Sequence, residues 1–158
     1  MRIEEKDNLD MDSGENKKII LYISEEDRNL YNEIKNKNGD LKGTSNSDIF
    51  LMAMSYGYYF DNKKKSSLDK KKDYVRVEYI SDEQKQIISS LVIGDIGKME
   101  ILSNMDDVYS IAEEYANNGI KLFHKFYFEN EHNFIERAEE KLREVYEDQG
   151  IGERSASE

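Results

Sequence analysis

The sequence predicts a mainly α fold with a small β element (α+β): a compact helical domain around one buried central helix, with two short strands. Three observations lead there. Most apolar residues recur at the i, i+3, i+4 spacing of amphipathic helices, and only two short stretches alternate with the period of a strand. Residues 49–54 are apolar without interruption, so a helix through them has no polar face and must be buried on most sides. The 158-residue chain contains no proline, where average usage would supply about eight. That absence permits long helices, although the excess of Lys, Asn, Ile and Asp traces it to codon bias.

In chain order, residues 1–16 read as a solvated, mobile tail with no apolar core after a basic start, unlike a secretory signal. Residues 17–149 read as a single globular domain, and residues 150–158 as a second mobile tail. Lys17–Ile23 alternates as a strand. Ile19, Leu21 and Ile23 share one face, and Lys18, Ile20 and Tyr22 the other. Ser24 suits the N-cap of a helix carrying Leu30, Tyr31 and Ile34, with Glu25, Glu26 and Asp27 in its first turn. Asn38-Gly39 stops that helix. Ser45 or Ser47 caps the central helix, where Ala53 and Gly57, four apart, form a small face that admits close helix approach.

Residues 61–73 read as a basic connector, and Tyr74–Ile80 as the second strand, pairing with the first so that neither leaves its backbone unpaired. Ser81 and Gln84 make a capping box for a helix carrying Ile87, Ile88, Leu91 and Val92, ending near Gly94 to Gly97. A short helix follows from Lys98 to Asn104. Asp106 or Asp107 starts the next, with Val108, Ile111, Ala112, Tyr115 and Ala116 on one face. It continues through Gly119, as a packing notch, to Tyr127; the alternative is a left-handed cap at Gly119. A last helix spans Phe134 to about Asp148.

Composition excludes several chemistries. With no cysteine there is no disulfide, thiol nucleophile or cysteine-ligated zinc, which fits a reducing cytoplasm. No run of about 18 apolar residues exists, so no membrane span is expected. His124 and His132, even with Glu131 nearby, have no H-x-x-x-H spacing, so no metal site or cofactor is expected. The 34 acidic residues allow many carboxylate pairs, but spacing singles none out for catalysis. Gly94-x-x-Gly97 lacks the lysine and hydroxyl context of a phosphate loop. A Ser/His/Asp triad has weak support.

Charge is unevenly distributed. The net charge is −11, which opposes nonspecific attraction to nucleic acid. Between residues 63 and 76, however, seven basic residues stand against two acids. Lys63, Lys64, Lys65, Lys70, Lys71, Lys72 and Arg76 are therefore the candidate phosphate contacts, with Tyr74 as a nearby aromatic. Against them stands the plain reading of a soluble loop. From Ser81 to the end, eighteen acids face eight bases, which suits a basic partner surface better than a duplex. The order strand, helix, helix also matches ribbon–helix–helix DNA-binding regulators. In that reading Lys18, Ile20 and Tyr22 face DNA in a symmetric dimer, although residues 38–47 make a longer connection than that fold normally uses.

Three stretches carry a family resemblance: SDIFLMAMSYGYYF followed by basic residues, VRVEYISDEQKQIISSLVIGDIGKMEIL, and VYSIAEEYANNGIKLF. Together they resemble the DNA phosphorothioation-associated protein 4 family, also called dnd system-associated protein 4, over about Lys17 to Tyr127. The most distinctive piece is Glu113 to Gly119, where the family pattern has a second glycine in place of Asn118. The helix from Phe134 onward is expected to be an extension beyond the shared region. The resemblance implies a cytoplasmic role in prokaryotic defence against foreign DNA, and the expected function is that of a non-catalytic accessory subunit of a system linked to DNA modification and restriction. Such a subunit is expected to bind protein partners from that system, with DNA contact through the Lys63–Arg76 segment; the resemblance carries over no catalytic residue.

Overall fold

The computed structural model describes residues 17–36, 39–60, 66–130 and 133–148. Both terminal stretches assigned to tails, and Lys63, Lys64, Lys65, Glu131 and His132, lie outside the described residues. Within them, strand β1 (Ile20–Ser24) leads through a 3-10 turn into helix α1 (Arg28–Asn36), followed by α2 (Asn46–Tyr59) and β2 (Lys71–Arg76). Then come α3 (Asp82–Ile96), a 3-10 turn over Met99–Ser103, α4 (Met105–Glu129) and α5 (Phe134–Asp148). The mainly α fold with a two-stranded β element is the one the sequence predicts.

The helices start where their caps permit. Ser45 accepts the Asp48 amide at the head of α2. Ser81 and Gln84 form the expected capping box, leaving fewer orphan amides at the start of α3. That helix runs past Gly94 to Ile96 and ends with Gly97 in the left-handed region, φ 74°, a conformation that a Cβ disfavours. The short helix expected over 98–104 is the 3-10 turn. Asn104, rather than Asp106 or Asp107, caps α4. The helix α4 continues unbroken through Asn117, Asn118 and Gly119, so Gly119 serves as the notch and not as a cap.

The centre of the molecule is the α2–α4 crossing. Ile49, Phe50, Ala53 and Met54 of α2 are buried, together with Ala112, Tyr115, Ala116, Ile120 and Phe123 of α4. A methyl at Gly57 would land on the Tyr115 carbonyl oxygen, and one at Gly119 on the Ala53 carbonyl oxygen. The two backbones therefore touch directly, and the small face at Ala53 and Gly57 is what allows it. Shielding of α2 is incomplete at its C-terminal turn, where Tyr59 is exposed.

The strands differ from expectation. β1 pairs antiparallel with β2 from Ile20 opposite Arg76 to Ser24 opposite Lys71. The second strand thus begins at Lys71 instead of Tyr74 and ends at Arg76 instead of Ile80. Two effects account for the shift. The register slips between Leu21 and Tyr22, which places Tyr74 as an extra residue in β2. Past the bond from the Val77 amide to the Ile19 carbonyl, Val77–Tyr79 turns as 3-10 and carries Ile80 into the core. Pairing thus overrides the alternation of residues 74–80. Ser24 belongs to β1, and its side chain caps no helix.

Candidate interaction surfaces

The polar side chains of α4 that meet β1 and the residues on either side of it, Lys18 to Asp27, form a helical stripe: Asp106, Ser110, Glu113, Asn117 and Lys121. Asp106 Oδ1 accepts the Lys18 amide at 2.9 Å, and Glu113 Oε1 accepts the Tyr22 amide at 2.8 Å. Seven helical residues span about 10.5 Å and four strand residues about 13 Å, so consecutive carboxylates of the stripe can serve alternate outward amides of one strand edge. Lys18 Nζ closes the arrangement. It lies 2.6 Å from Glu113 Oε1, with side-chain exposures of only 12% and 2%, and donates to Ser110 Oγ at 3.3 Å. Burial pushes the Glu113 carboxyl above its ordinary range, and the bonds from Lys18 and the Tyr22 amide oppose that rise.

Further along the stripe, Ser24 Oγ donates to Asn117 Oδ1 at 2.6 Å, while Asn117 Nδ2 donates to the carbonyls of Ser66 and Ser67. The Ser66 amide donates to the Glu114 carbonyl. Asp27 is buried, which raises its pKa against the partial compensation of Lys121 at 3.9 Å. One turn beyond, His124 Nε2 and Glu33 Oε2 are 2.7 Å apart, so His124 joins α4 to α1 rather than standing as a free surface group. Among the described residues no three metal-ligating side chains converge, and no helix is long and apolar enough to cross a membrane.

The structure separates the candidate basic residues. Cross-strand partners share a face, so Lys71 and Arg76 lie on the side of Ser24 and Ile20, whereas Lys72 lies with Ile23 on the other. Lys71 Nζ stands 5.6 Å from the centre of the Tyr22 ring, and Lys18 Nζ stands 5.3 Å from it. Arg76 pairs with Glu78 at 3.0 Å. Lys70 is exposed just before the strand, and Tyr74 tilts inward against Tyr31 with ring centres 4.7 Å apart. The described bases therefore make no continuous stripe. Nor is β1 available to pair with the strand of a second copy, as a ribbon–helix–helix dimer requires, because β2 takes one edge and the α4 stripe the other.

A second surface was missed by sequence reading. An open groove of about 500 Å³ runs between α2 and α3, lined by Ser55 and Tyr59 from the first and by Glu83, Gln86, Ile87, Ser90 and Leu91 from the second. Tyr59 and Ile87 are 48% and 52% exposed, more than their apolar character favours. The sequence signal was Ile87 itself, assigned to the buried stripe of α3 although Ile88, Leu91 and Val92 already fill that face.

These features define a small helical α+β protein in which one helix's polar stripe secures a β-ribbon, leaving apolar side chains exposed on other helices. Residues 21–154 match the family model described as DNA sulphur modification system-associated protein 4, and the chain belongs to that family. The matched region includes α5, which is therefore not an extension beyond the shared part. Neither a curated protein nor a solved structure matches the chain. The Glu113–Gly119 segment that carries the resemblance is engaged in architecture: Glu113 and Asn117 hold β1 and its neighbour, and Gly119 sits at the helix crossing.

Proposed function

We propose that the protein is a non-catalytic accessory subunit of a DNA phosphorothioation-linked modification and restriction system in the cytoplasm, acting by docking onto the system's own proteins. Family membership supports the association with sulphur modification. The observation that carries the docking role is the α2–α3 groove, where Tyr59 and Ile87 stand half-exposed beside Ser55, Ser90 and Gln86. An aromatic and an aliphatic side chain with hydrogen-bonding neighbours are the usual composition of a protein contact. The test is affinity purification of the tagged chain from its native host, with wild type beside Tyr59→Ala/Ile87→Ser. Recovery of modification or restriction proteins by wild type, reduced in the variant, supports the reading. If wild type recovers none of them, it fails.

The proposal extends to phosphate contact by the Lys63–Arg76 segment. Lys70 and Lys71 are exposed, and Tyr22 stands beside Lys71, an arrangement suited to a DNA backbone at the margin of a complex. Gel shifts with phosphorothioated and unmodified duplex, comparing wild type with Lys70→Ala/Lys71→Ala, check it. Weakened binding and a shallower salt dependence are expected, and an unchanged shift refutes the contact.

A further inference from the structure

The helix α5 has two apolar faces. The first rests on the body: Phe134 is buried among Phe123, Phe126 and Tyr127, with ring centres 5.2–6.0 Å away, and Ala138 packs against the same core. Lys141 continues this face, with Nζ 4.9 Å from the centre of the Phe60 ring. The second face is Ile135, Leu142 and Tyr146, spaced seven and four residues apart, which places them on one side of the helix. They are 52%, 64% and 56% exposed. Nothing among the described residues covers them.

The charges around this stripe discriminate among possible occupants. The helix carries six acidic and three basic residues. Two of the bases are already engaged, Lys141 against aromatic rings and Arg137 with Glu140 at 2.8 Å. Arg143 lies four residues from both Glu139 and Glu147 and offsets part of their charge, yet the helix keeps an excess of three acids, so this outward edge remains predominantly negative. A DNA duplex and an anionic membrane are both repelled by it. A second copy brings the same acidic helix on a chain of net charge −11. A basic protein surface is attracted, and its apolar floor would bury the three side chains.

We infer that the outer face of α5 is a second docking element, separate from the α2–α3 groove, for a partner protein presenting an apolar channel rimmed by lysine and arginine. This rests on the accessory reading above and adds to the α2–α3 groove a second contact site and the chemistry of the partner surface it meets. Because Ile135, Leu142 and Tyr146 are exposed, replacing all three with serine leaves the fold intact, and circular dichroism verifies that.

Two measurements test the inference. In the first, each purified protein of the host's sulphur modification system is titrated with wild type, with Ile135→Ser/Leu142→Ser/Tyr146→Ser, and with Glu139→Lys/Glu147→Lys. At least about tenfold weaker binding in both variants is expected, as for removal of an interface hot spot, with wild-type affinity falling as salt rises. Undiminished binding of the variants overturns the α5 assignment and leaves the accessory reading standing. If wild type binds no component, the accessory reading falls, and the second measurement decides α5 separately. In it, a synthetic amphipathic helix of leucine and lysine, about 18 residues long, is titrated into the isotopically labelled protein. Amide shifts centred on residues 135–146 and absent in the serine variant support the inference. Equal binding of a leucine–glutamate helix, or shifts away from α5, overturn it. Sedimentation adds one more outcome: a wild-type dimer that the serine variant dissociates assigns the face to self-association and refutes a basic partner.

Discussion

Gly119→Ala is the most discriminating test of the packing. On an exposed helix the change would stabilise by about 0.8–1.0 kcal/mol, because alanine is the better helix former. Here the added methyl meets the Ala53 carbonyl oxygen and the Gly57 backbone. Both obstacles are main chain, so no side chain can swing aside. The helices must separate by about an ångström, a gap that forfeits a quarter to a half of the dispersion energy at each contact it opens. The affected contacts are the core ones around Ala53, Tyr115, Ala116 and Phe123, all buried. Overpacking of this kind costs about 1–3 kcal/mol and at times more. Set against the helix-propensity gain, the upper end of that range leaves a net loss of about 2 kcal/mol, equivalent to a drop of roughly 4–8 °C in Tm for a domain of this size. Urea titration followed by far-UV circular dichroism gives the free energy. Gly94→Ala is the control, since its methyl would meet only the Tyr58 hydroxyl at the end of a side chain. A Gly119→Ala variant as stable as wild type would refute the direct backbone contact between α2 and α4.

Other substitutions address the polar stripe and the caps. Lys18→Met leaves Glu113 buried without its cation and is expected to destabilise by about 3–5 kcal/mol at pH 7; adding Glu113→Gln should recover much of that loss, and chemical denaturation of the single and double variants measures it. Asp27 has a raised folded-state pKa, so its contribution to stability is full below the unfolded value and is lost as pH rises through the folded value. The stability of Asp27→Asn relative to wild type should therefore increase between pH 3.5 and pH 7, and a constant difference across titrations at the two pH values contradicts the burial argument. Ser81→Ala removes the acceptor for the Gln84 amide and should cost about 1 kcal/mol, read from the same denaturation curves.

What the sequence reveals depends on how local the cause is. The capping box at Ser81 and Gln84, the all-round apolar run of α2 and the passage of α4 through Gly119 were legible because neighbours within a few turns determine them. The register of β2 was not. Its alternating residues favour 74–80, but the strand forms where β1 supplies partners, and the slip at Tyr22 moves pairing toward Lys71. The burial of Glu113 was equally hidden. In EEYANNG it reads as one more surface acid, and only the meeting of residues 91 apart gives it the Tyr22 amide. The stripe itself was present in the sequence as polar residues at helical spacing on α4, a pattern that resembles a solvated face until a strand edge is placed beside it. The α2–α3 groove was hidden for a different reason, since periodicity assigns Ile87 to the core without measuring how much of α3 the core can cover.

The acid-bearing helices α4 and α5 show how similar residues acquire opposite roles. On α4, carboxylates face a strand edge whose amides need acceptors, and each bond made there replaces a water contact that burial would otherwise remove. The same bonds close the edge to strand addition, which directs any partner toward side-chain surfaces and away from the ribbon. On α5 the carboxylates meet no such donors. Their charge remains in solvent beside an apolar stripe, where it selects the sign of whatever covers that stripe and has little bearing on stability. Substitutions in the first set should therefore register as unfolding, and those in the second as lost association with the fold preserved. A protein that unfolded when Leu142 or Tyr146 became serine would show that the outer face of α5 is structural, and would remove the physical basis for a docking helix.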